Sequence, residues 1–312
     1  MTKHRSTTTE PKRSSLSVLL FLSLLAAGMH SGTALKAQEA KPGIFYSITG
    51  KGLKDTSWLF GTFHIINSSY LDTYPAIKDR HNRAGGVVVE LTLDSAKMVY
   101  FQSAGLLKEK KLSDFLEKSF EDSLDAELKK QTGVGVAQFN RLKPMNVALT
   151  LSMIYLMRDN AATIQLYKGM PLDMYFAKTV LQSGKPVTEL ETVAEQSALL
   201  FDTDTPEKQA EGLKTFLRNK NTLQQLGNEL LQSWFAHDLQ AMDRIYQETL
   251  KASGEKDYLI QQRNLNWMKQ LPQLMKKQSQ FIAVGALHLA GENGLVKLLR
   301  EAGYTVTPVL LP

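Results

Sequence analysis

The sequence has no cysteine among its 312 residues. Disulfide bonds, thiolate metal ligands and a cysteine nucleophile are therefore excluded. Three catalytic signatures are also absent: the His-Glu-x-x-His helix motif, the Gly-x-Ser-x-Gly nucleophile elbow and the Walker phosphate loop. An ordinary zincin is therefore excluded. The sequence also gives no support for a hydrolase with a nucleophile elbow or for an enzyme with a Walker phosphate loop.

The chain has little excess of charge of either sign. It carries 37 basic and 31 acidic side chains, a formal surplus of +6. Residues 1–34 contain four basic residues and one acidic residue, Glu10, so they account for half of that surplus. The positive charge of the rest of the chain is too small to indicate nucleic-acid binding, and no dense Lys/Arg block with interleaved aromatic residues occurs. We therefore expect no nucleic-acid partner.

One long apolar run occurs, and it lies near the N-terminus. It extends from Leu16 to about Met29, follows basic residues and is followed by small residues that include Ala34 and Ala37. This pattern predicts a secretory signal peptide over residues 1–37, with cleavage after one of the two alanines. The alternative is an uncleaved anchor, although the run is short for a membrane span. Either way we expect a secreted or periplasmic protein, without stable membrane insertion once the signal is removed.

Two short apolar runs each end in a Gly-x-x-His motif. The first motif extends from Gly61 to His64 and the second from Gly285 to His288. Apolar runs bounded by glycine predict buried strands. We expect each glycine to adopt a positive φ where its strand leaves the sheet. Each histidine should then project from the carboxyl edge, where open α/β sheets bind ligands.

A carboxylate follows a third apolar run. Three consecutive valines precede Glu90, which predicts a parallel strand buried on both faces. A carboxylate at such a strand end is costly unless it is exposed, paired or bound to a metal. Glu90 is therefore the third candidate at the edge of the sheet.

The remaining pattern predicts an α/β (α+β) fold in one domain over residues 38–312. A β-hairpin opens the domain, and segments with helical periodicity dominate from about 95 to 184 and from 206 to 252. A strand is predicted over 186–191. At the C-terminus, a strand, a helix over 295–302 and a returning strand predict a βαβ unit with a parallel pair. The N- and C-terminal parts should thus form a mixed sheet around a large helical insertion.

If their strands share one sheet, His64, Glu90 and His288 would lie close enough to bind one divalent metal ion. Two histidines and a glutamate resemble a catalytic set that leaves one position open for water. The alternative is that each histidine caps a loop and Glu90 pairs with a basic residue. Spacing alone leaves both open.

Other polar residues suggest supporting roles. Arg263 and Asn264, on a helix predicted over 258–270, are candidates to fix a carboxylate or stabilise an oxyanion, or are simply surface groups. Glu191 and Glu195 are either supporting groups of the site or part of a helix N-terminus. His81 is predicted to be solvated, and His237 to lie in a helix at the edge of an apolar face.

Together these residues resemble the TraB/GumN family, which includes the Tiki proteases. The resemblance rests on Phe60–His64, on Val88–Glu90, on the segment from Gly184 to Gln196, on Arg263-Asn264 with Trp267, and on Val284–Tyr304. It covers about residues 43–310 in the expected order. The family implies a mixed α/β fold with helical insertions, related to erythromycin-esterase-like and haem-binding ChaN-like proteins. By resemblance to Tiki proteases, His64, Glu90 and His288 would be metal ligands and catalytic residues, with Arg263 and Asn264 in support.

The sequence thus predicts a metal-dependent hydrolase, with a peptidase favoured. The cofactor would be a divalent ion such as Mn²⁺, Co²⁺ or Zn²⁺, and the substrate a peptide or protein. The alternative is a non-catalytic protein of the same fold that binds a peptide, haem or a metal. The oligomeric state is left open.

Overall fold

The computed structural model describes residues 43–254, 257 and 259–311. The predicted signal peptide over residues 1–37 and its cleavage sites lie outside these residues. Within the described ranges, no helix combines the length and the apolar character needed to cross a membrane.

Among the described residues, six strands form one mixed sheet, as predicted. They are β1 Phe45–Thr49, β2 Ser57–Thr62, β3 Gly86–Val89, β4 Val187–Glu189, β5 Gln280–Gly285 and β6 Thr305–Pro308. Their order across the sheet is β4-β3-β5-β2-β1-β6. The four strands β4, β3, β5 and β2 are parallel, whereas β1 is antiparallel to both of its neighbours. The N- and C-terminal parts of the chain therefore interleave within the sheet.

The helices occupy most of the sequence between the strands. They are α1 Tyr70–Thr73, α2 Pro75–Arg83, α3 Ser95–Ala104, α4 Lys118–Thr132, α5 Val136–Phe139, α6 Pro144–Asp159, α7 Ala161–Ile164, α8 Leu172–Gln182, α9 Val193–Phe201, α10 Pro206–Arg218, α11 Lys220–Phe235, α12 Leu239–Ser253, α13 Gln261–Trp267, α14 Leu271–Lys277 and α15 Leu295–Glu301. Two 3₁₀ helices cover Leu112–Phe115 and Ala286–Leu289. The predicted helical insertion is confirmed.

Local residue chemistry explains where several of these helices begin and end. The side chain of Thr192 accepts a hydrogen bond from the Glu195 backbone and Glu195 reciprocates, which forms a capping box at the start of α9. Asp238 caps α12 through the Ala241 N–H. The predicted helical stretch over 206–252 is thereby divided into three helices, with His237 in a left-handed conformation (φ 54°) between α11 and α12.

Two separate apolar cores stabilise the fold. The larger one surrounds the sheet and contains buried aromatic side chains such as Phe45, Phe60, Phe176 and Phe281. The smaller one lies among α4, α6 and α10 and includes Leu128, Leu151, Tyr155, Leu213 and Phe216. The helical middle of the chain thus has an apolar core of its own.

The C-terminal pairing differs from the prediction. The strand β6 has the same direction as β5, but it pairs with β1 rather than with β5. Both edges of β5 are already hydrogen-bonded, to β2 and to β3. A strand returning after α15 therefore has to pair elsewhere, and the edge of β1 accepts it.

Two histidines also differ from the predictions. His81 is 1% exposed rather than solvated, and its Nε2 lies 3.1 Å from the Phe176 carbonyl oxygen. His237 lies beyond the end of α11 rather than within a helix, and its Nε2 is 2.8 Å from the Tyr70 hydroxyl. Both histidines thus have hydrogen-bond partners within the fold.

Candidate functional site

Three adjacent parallel strands bring His64, Glu90 and His288 to one edge of the sheet. Glu90 directly follows β3, His64 lies two residues beyond β2, and His288 lies in the 3₁₀ helix that follows β5. The strand β5 lies between the other two, with Ala283 opposite Val89 and Gly285 opposite Thr62. All three side chains therefore start from the carboxyl edge, as the sequence predicts.

Gly285 forms the floor on which these side chains converge. A Cβ atom at this position would lie 3.3 Å from Glu90 Oε1, 3.7 Å from His288 Cδ2 and 3.8 Å from His64 Nε2. The Gly285 backbone N–H also donates to Glu90 Oε1 at 2.7 Å. The glycine thus leaves room for the three groups and fixes one of them.

Neither motif glycine adopts the positive φ that the sequence analysis predicts. Gly61 is required for a different reason, because a Cβ there would lie 2.8 Å from Ala286 Cα and 2.9 Å from Ala286 Cβ. Contacts this short are not tolerated. The first motif therefore contains glycine so that the backbone of the second motif can pass against it.

His64 is oriented by Asp173, a residue that the sequence analysis missed. His64 Nδ1 lies 2.8 Å from Asp173 Oδ2, and the Thr62 hydroxyl donates to the other carboxylate oxygen. The Asp173 carboxylate raises the pKa of His64 to about 9. The His64 side chain is 67% exposed, so solvent screens part of this attraction. Its Nε2 is left to face the site and a substrate.

His288 is buried and held by Asn264. The Asn264 Nδ2 group donates to the carbonyl oxygens of His288 and Asn293, at 3.0 and 2.7 Å. Its Oδ1 atom must therefore accept the Nδ1–H of His288, at 2.7 Å. This hydrogen bond fixes the tautomer and leaves His288 Nε2 as an acceptor. Burial lowers the pKa of His288 to about 3, so the imidazole stays neutral at physiological pH.

Arg263 links the buried members of the site. Its NH2 group donates to Glu90 Oε2, and its NH1 group lies 3.0 Å from His288 Nε2. Glu191 accepts two further hydrogen bonds, from Nε at 3.0 Å and from NH2. The guanidinium also lies 4.9 Å from the centre of the Trp267 ring, which in turn lies 4.3 Å from the His288 ring. The side chain of Arg263 is thus a buried cation with well-defined partners.

The pKa values of the two glutamates that contact Arg263 are shifted in opposite directions. Burial by itself would raise the pKa of Glu90, but attraction to Arg263 and His64 and the hydrogen bond from the Gly285 N–H hold it low, at about 2. Burial raises the pKa of Glu191, and its bonds to Arg263 only partly offset this. Glu90 therefore remains ionised at neutral pH and is the principal anionic partner of Arg263.

The contacts of the other candidate residues bear on the alternatives that the sequence left open. Glu90 does pair with a basic residue, Arg263, which is not a surface group. Glu191 belongs to this network, whereas Glu195 forms the capping box of α9. Asn264 contacts His288 rather than the space above Gly285, so its role is to orient the imidazole.

A metal ion held jointly by His64, Glu90 and His288 does not fit the side chains as they stand. Arg263 NH1 lies 3.0 Å from His288 Nε2, the atom that would have to bind the ion because Asn264 holds Nδ1, and Arg263 also donates to Glu90 Oε2. Among the residues that the structure describes, no three His, Asp or Glu side chains are grouped to hold a metal. The donor types and the anchored Nδ1 atoms do suit metal ligation. A metal ion bound by all three residues would therefore have to displace Arg263 from His288 Nε2.

A cavity of about 370 Å³ adjoins the network on the side of α9 and α13. Glu191, Arg263 and Trp267 form part of its wall, together with Glu195 and Lys269. Its volume is within the range of small-molecule sites. The buried network thus borders a space that can admit part of a ligand.

Comparison with known proteins gives one family and two relatives. The model of the TraB/PrgY/gumN family matches residues 44–308. Two proteins, both named "Uncharacterized protein YbaP", from Escherichia coli (strain K12) and Shigella flexneri, are each 28% identical over 173 residues. The alignments cover 55% of this chain and 62% of each relative, which is less than two thirds of the relatives' length. No solved structure matches the chain.

Proposed function

Since the chain belongs to the TraB/PrgY/gumN family, we propose that it is a hydrolase that cleaves a carbonyl substrate, with a peptide bond as the first candidate. The observation that carries the proposal is the convergence of His64, Glu90 and His288 around Gly285, with Arg263 bound to two of them. Two imidazoles anchored through Nδ1, an ionised carboxylate and a guanidinium supply the acid–base and electrostatic groups that hydrolysis needs.

The exposed histidine is the group best suited to activate water. In its neutral form, His64 holds its Nδ1–H against Asp173 and presents Nε2 as the acceptor of a proton from water. This is the arrangement of a general base oriented by a carboxylate. The attacking water would then lie above Gly285, between His64 and Glu90.

The guanidinium of Arg263 is suited to stabilise the oxyanion. Four hydrogen bonds engage this side chain, which leaves one of its five N–H groups for the substrate oxygen. His288 and Glu90 hold the guanidinium in place, and His288 is itself held by Asn264. We therefore assign Arg263 to the oxyanion, and Glu90, His288 and Asn264 to positioning.

A metal-dependent form of the same hydrolysis is a second candidate. The resemblance to Tiki proteases and the anchored Nδ1 atoms of both histidines favour it. Mn²⁺, Co²⁺ or Zn²⁺ would supply Lewis-acid polarisation of the carbonyl. The contacts of Arg263 argue against this form, because they occupy two of the three proposed ligands.

We also propose that the protein acts outside the cytoplasm. The support is the basic, apolar and small-residue pattern of residues 1–37. Mass spectrometry of the exported protein should find an N-terminus between Leu35 and Glu39. An intact Met1 would contradict cleavage.

The test is hydrolysis of a peptide pool and an ester pool by the mature protein, with chelator or with each of the three metals. Cleavage that survives chelator and disappears in His64→Ala and Glu90→Gln would support the metal-free form. The matched control is Glu189→Gln, because that carboxylate ends the neighbouring strand β4 and pairs with Lys97. Cleavage only with metal would support the second candidate. No cleavage, with tight retention of a peptide or haem, would favour the binding protein and overturn the hydrolase.

A further inference from the structure

A second cavity lies within the helical middle of the chain. Its volume is about 250 Å³, and residues of α6, α10, α11 and α12 line it. Much of the wall is aliphatic or aromatic, with Leu149, Leu156, Leu213, Phe216, Leu223 and Leu230. It shares no lining residue with the cavity beside Arg263. Its occupant would therefore be distinct from the substrate of the proposed hydrolase.

No charged side chain of the described residues lines this cavity. The polar groups at its wall are neutral and include Ser152, Gln224 and Thr249. Burial of an unpaired charge costs much free energy, whereas a neutral polar group can be satisfied by one hydrogen bond. The lining thus favours an uncharged molecule that is mainly apolar.

Two helix-interior glycines border the cavity. Gly212 lies in α10 and Gly227 in α11. Neither has a positive φ. A Cβ at Gly212 would meet no atom of the described residues within 4 Å, and one at Gly227 would meet only Leu156 Cδ1, at 3.8 Å. Glycine weakens a helix relative to alanine, and neither close packing nor backbone geometry requires it here. Gly212 is exposed, so the space beside it is open to solvent, whereas the absence of a side chain at the half-buried Gly227 leaves unfilled space at the cavity.

An apolar stripe leads away from the cavity along α6. Leu149 lines the cavity and is 37% exposed, and Met153 and Met157 follow at intervals of four residues with 43% and 49% exposure. Residues four apart lie on one face of a helix. The stripe thus places exposed apolar side chains next to Leu149, which is part of the cavity wall.

From these observations we propose that the helical middle binds a small, neutral, mainly apolar molecule in this cavity. An engineered apolar cavity of about 150 Å³ stays dry and binds benzene, whereas drug-sized ligands occupy about 300–1,000 Å³. A volume between these limits suits a single ring or a short alkyl chain with one hydroxyl group. It is too small for a peptide helix, which is about 10 Å wide.

The test uses 1-octanol as the probe and octanoate as its charged counterpart, with the full mature protein. Calorimetric titration should show saturable binding of octanol and a rise in the thermal unfolding midpoint. Octanoate should bind at least about tenfold more weakly, because its carboxylate would be buried without a partner. Equal binding of the two probes, or no saturable binding of octanol, would overturn the proposal.

Variants at Gly227 locate the binding. Gly227→Leu fills the cavity and should weaken octanol binding at least about tenfold while raising the unfolding midpoint. Thr222→Leu is the control, because Thr222 is exposed on the same helix and does not line the cavity. If Gly227→Leu fails to fold, Gly227→Ala adds one methyl at ordinary contact distance and should weaken binding severalfold. Unchanged octanol binding in the folded Gly227 variant would refute the assignment.

Discussion

The edge of the sheet and the helical middle use buried space in opposite ways. Around Gly285, the side chains of Glu90, Arg263, Asn264 and His288 are packed against one another. Nearly all of their hydrogen-bond donors and acceptors have partners. Around Gly227, the helices leave a cavity of about 250 Å³. Strands held by hydrogen bonds on both sides fix side chains closely. Helices joined by side-chain packing alone can leave space between them.

Buried charge by itself does not distinguish the two regions. In the helical middle, Glu127 is 6% exposed and binds Lys220, Tyr155 and Gln131. It resembles Glu90 in being a buried, paired carboxylate. No histidine is among its partners, and it does not lie at a strand end. What marks the edge of the sheet as a candidate site is the convergence of several types of reactive group.

Removing Arg263 should produce the largest change in stability. Arg263→Met leaves Glu90 and Glu191 buried without their cation, so we expect a loss of about 3–5 kcal/mol at pH 7 by urea unfolding. The folded-state pKa of Glu90, about 2, is below its ordinary value of 4.5. Its stabilising contribution is therefore present above pH 4.5 and is lost as the pH falls toward 2. The difference between wild type and variant should shrink over that range.

The control for this comparison is Arg218→Met, at the exposed C-terminal end of α10. It should change the free energy of unfolding by less than about 0.5 kcal/mol. Equal effects of the two variants would show that Arg263 is not a buried counter-ion.

At a pH above about 9, where His64 is neutral in both proteins, Asp173→Asn should lower hydrolysis about 10–10²-fold, because the carboxylate orients His64. Asp173 raises the pKa of His64 to about 9, so in the wild type neutral imidazole accumulates as the pH rises toward that value. The variant should shift the rising limb of the pH–rate profile to lower pH. Asp72→Asn is the control, because the Asp72 carboxylate is exposed on α1 and pairs with Lys78. A lower rate without a shift of the limb would indicate a purely structural role.

Substitutions of the two motif glycines should affect different properties, the one at Gly61 mainly stability and the one at Gly285 mainly activity. Gly61→Ala forces a methyl against Ala286 and should cost about 1–3 kcal/mol in unfolding experiments. Gly285→Ala places its methyl at 3.3–3.8 Å from the reactive groups, so it should fold nearly as well and lose activity. The reverse ranking of the two variants in stability would contradict these assignments.

The smallest effect is expected in the helical middle. Glu127→Gln keeps a hydrogen-bonding group beside Tyr155 but removes the charge opposite Lys220, so we expect a loss of about 1 kcal/mol. Hydrolysis should be unchanged. A loss of activity comparable to that of Glu90→Gln would mean that the two buried carboxylates are coupled.

The sequence was most informative where chemistry and strand periodicity coincide. Glu90 and the two motif histidines follow apolar runs, so their common edge was predictable. Asp173 was not, because an acidic residue in the first turn of a helix is expected for electrostatic reasons alone. Its partner His64 lies 109 residues away. Gly212 and Gly227 were equally uninformative, since helical periodicity does not reveal how neighbouring helices pack.

The order of strands in the sheet also has a consequence for folding during synthesis. The strand β5 separates β2 from β3, yet it is made after almost all of the chain. Until Gln280–Gly285 emerges, β2 and β3 have no common neighbour, and His64 and Glu90 have no shared floor. Such long-range pairing makes folding slow, because much chain entropy is lost before the contact forms. A chain truncated before β5 is therefore expected to contain folded helices but no assembled site.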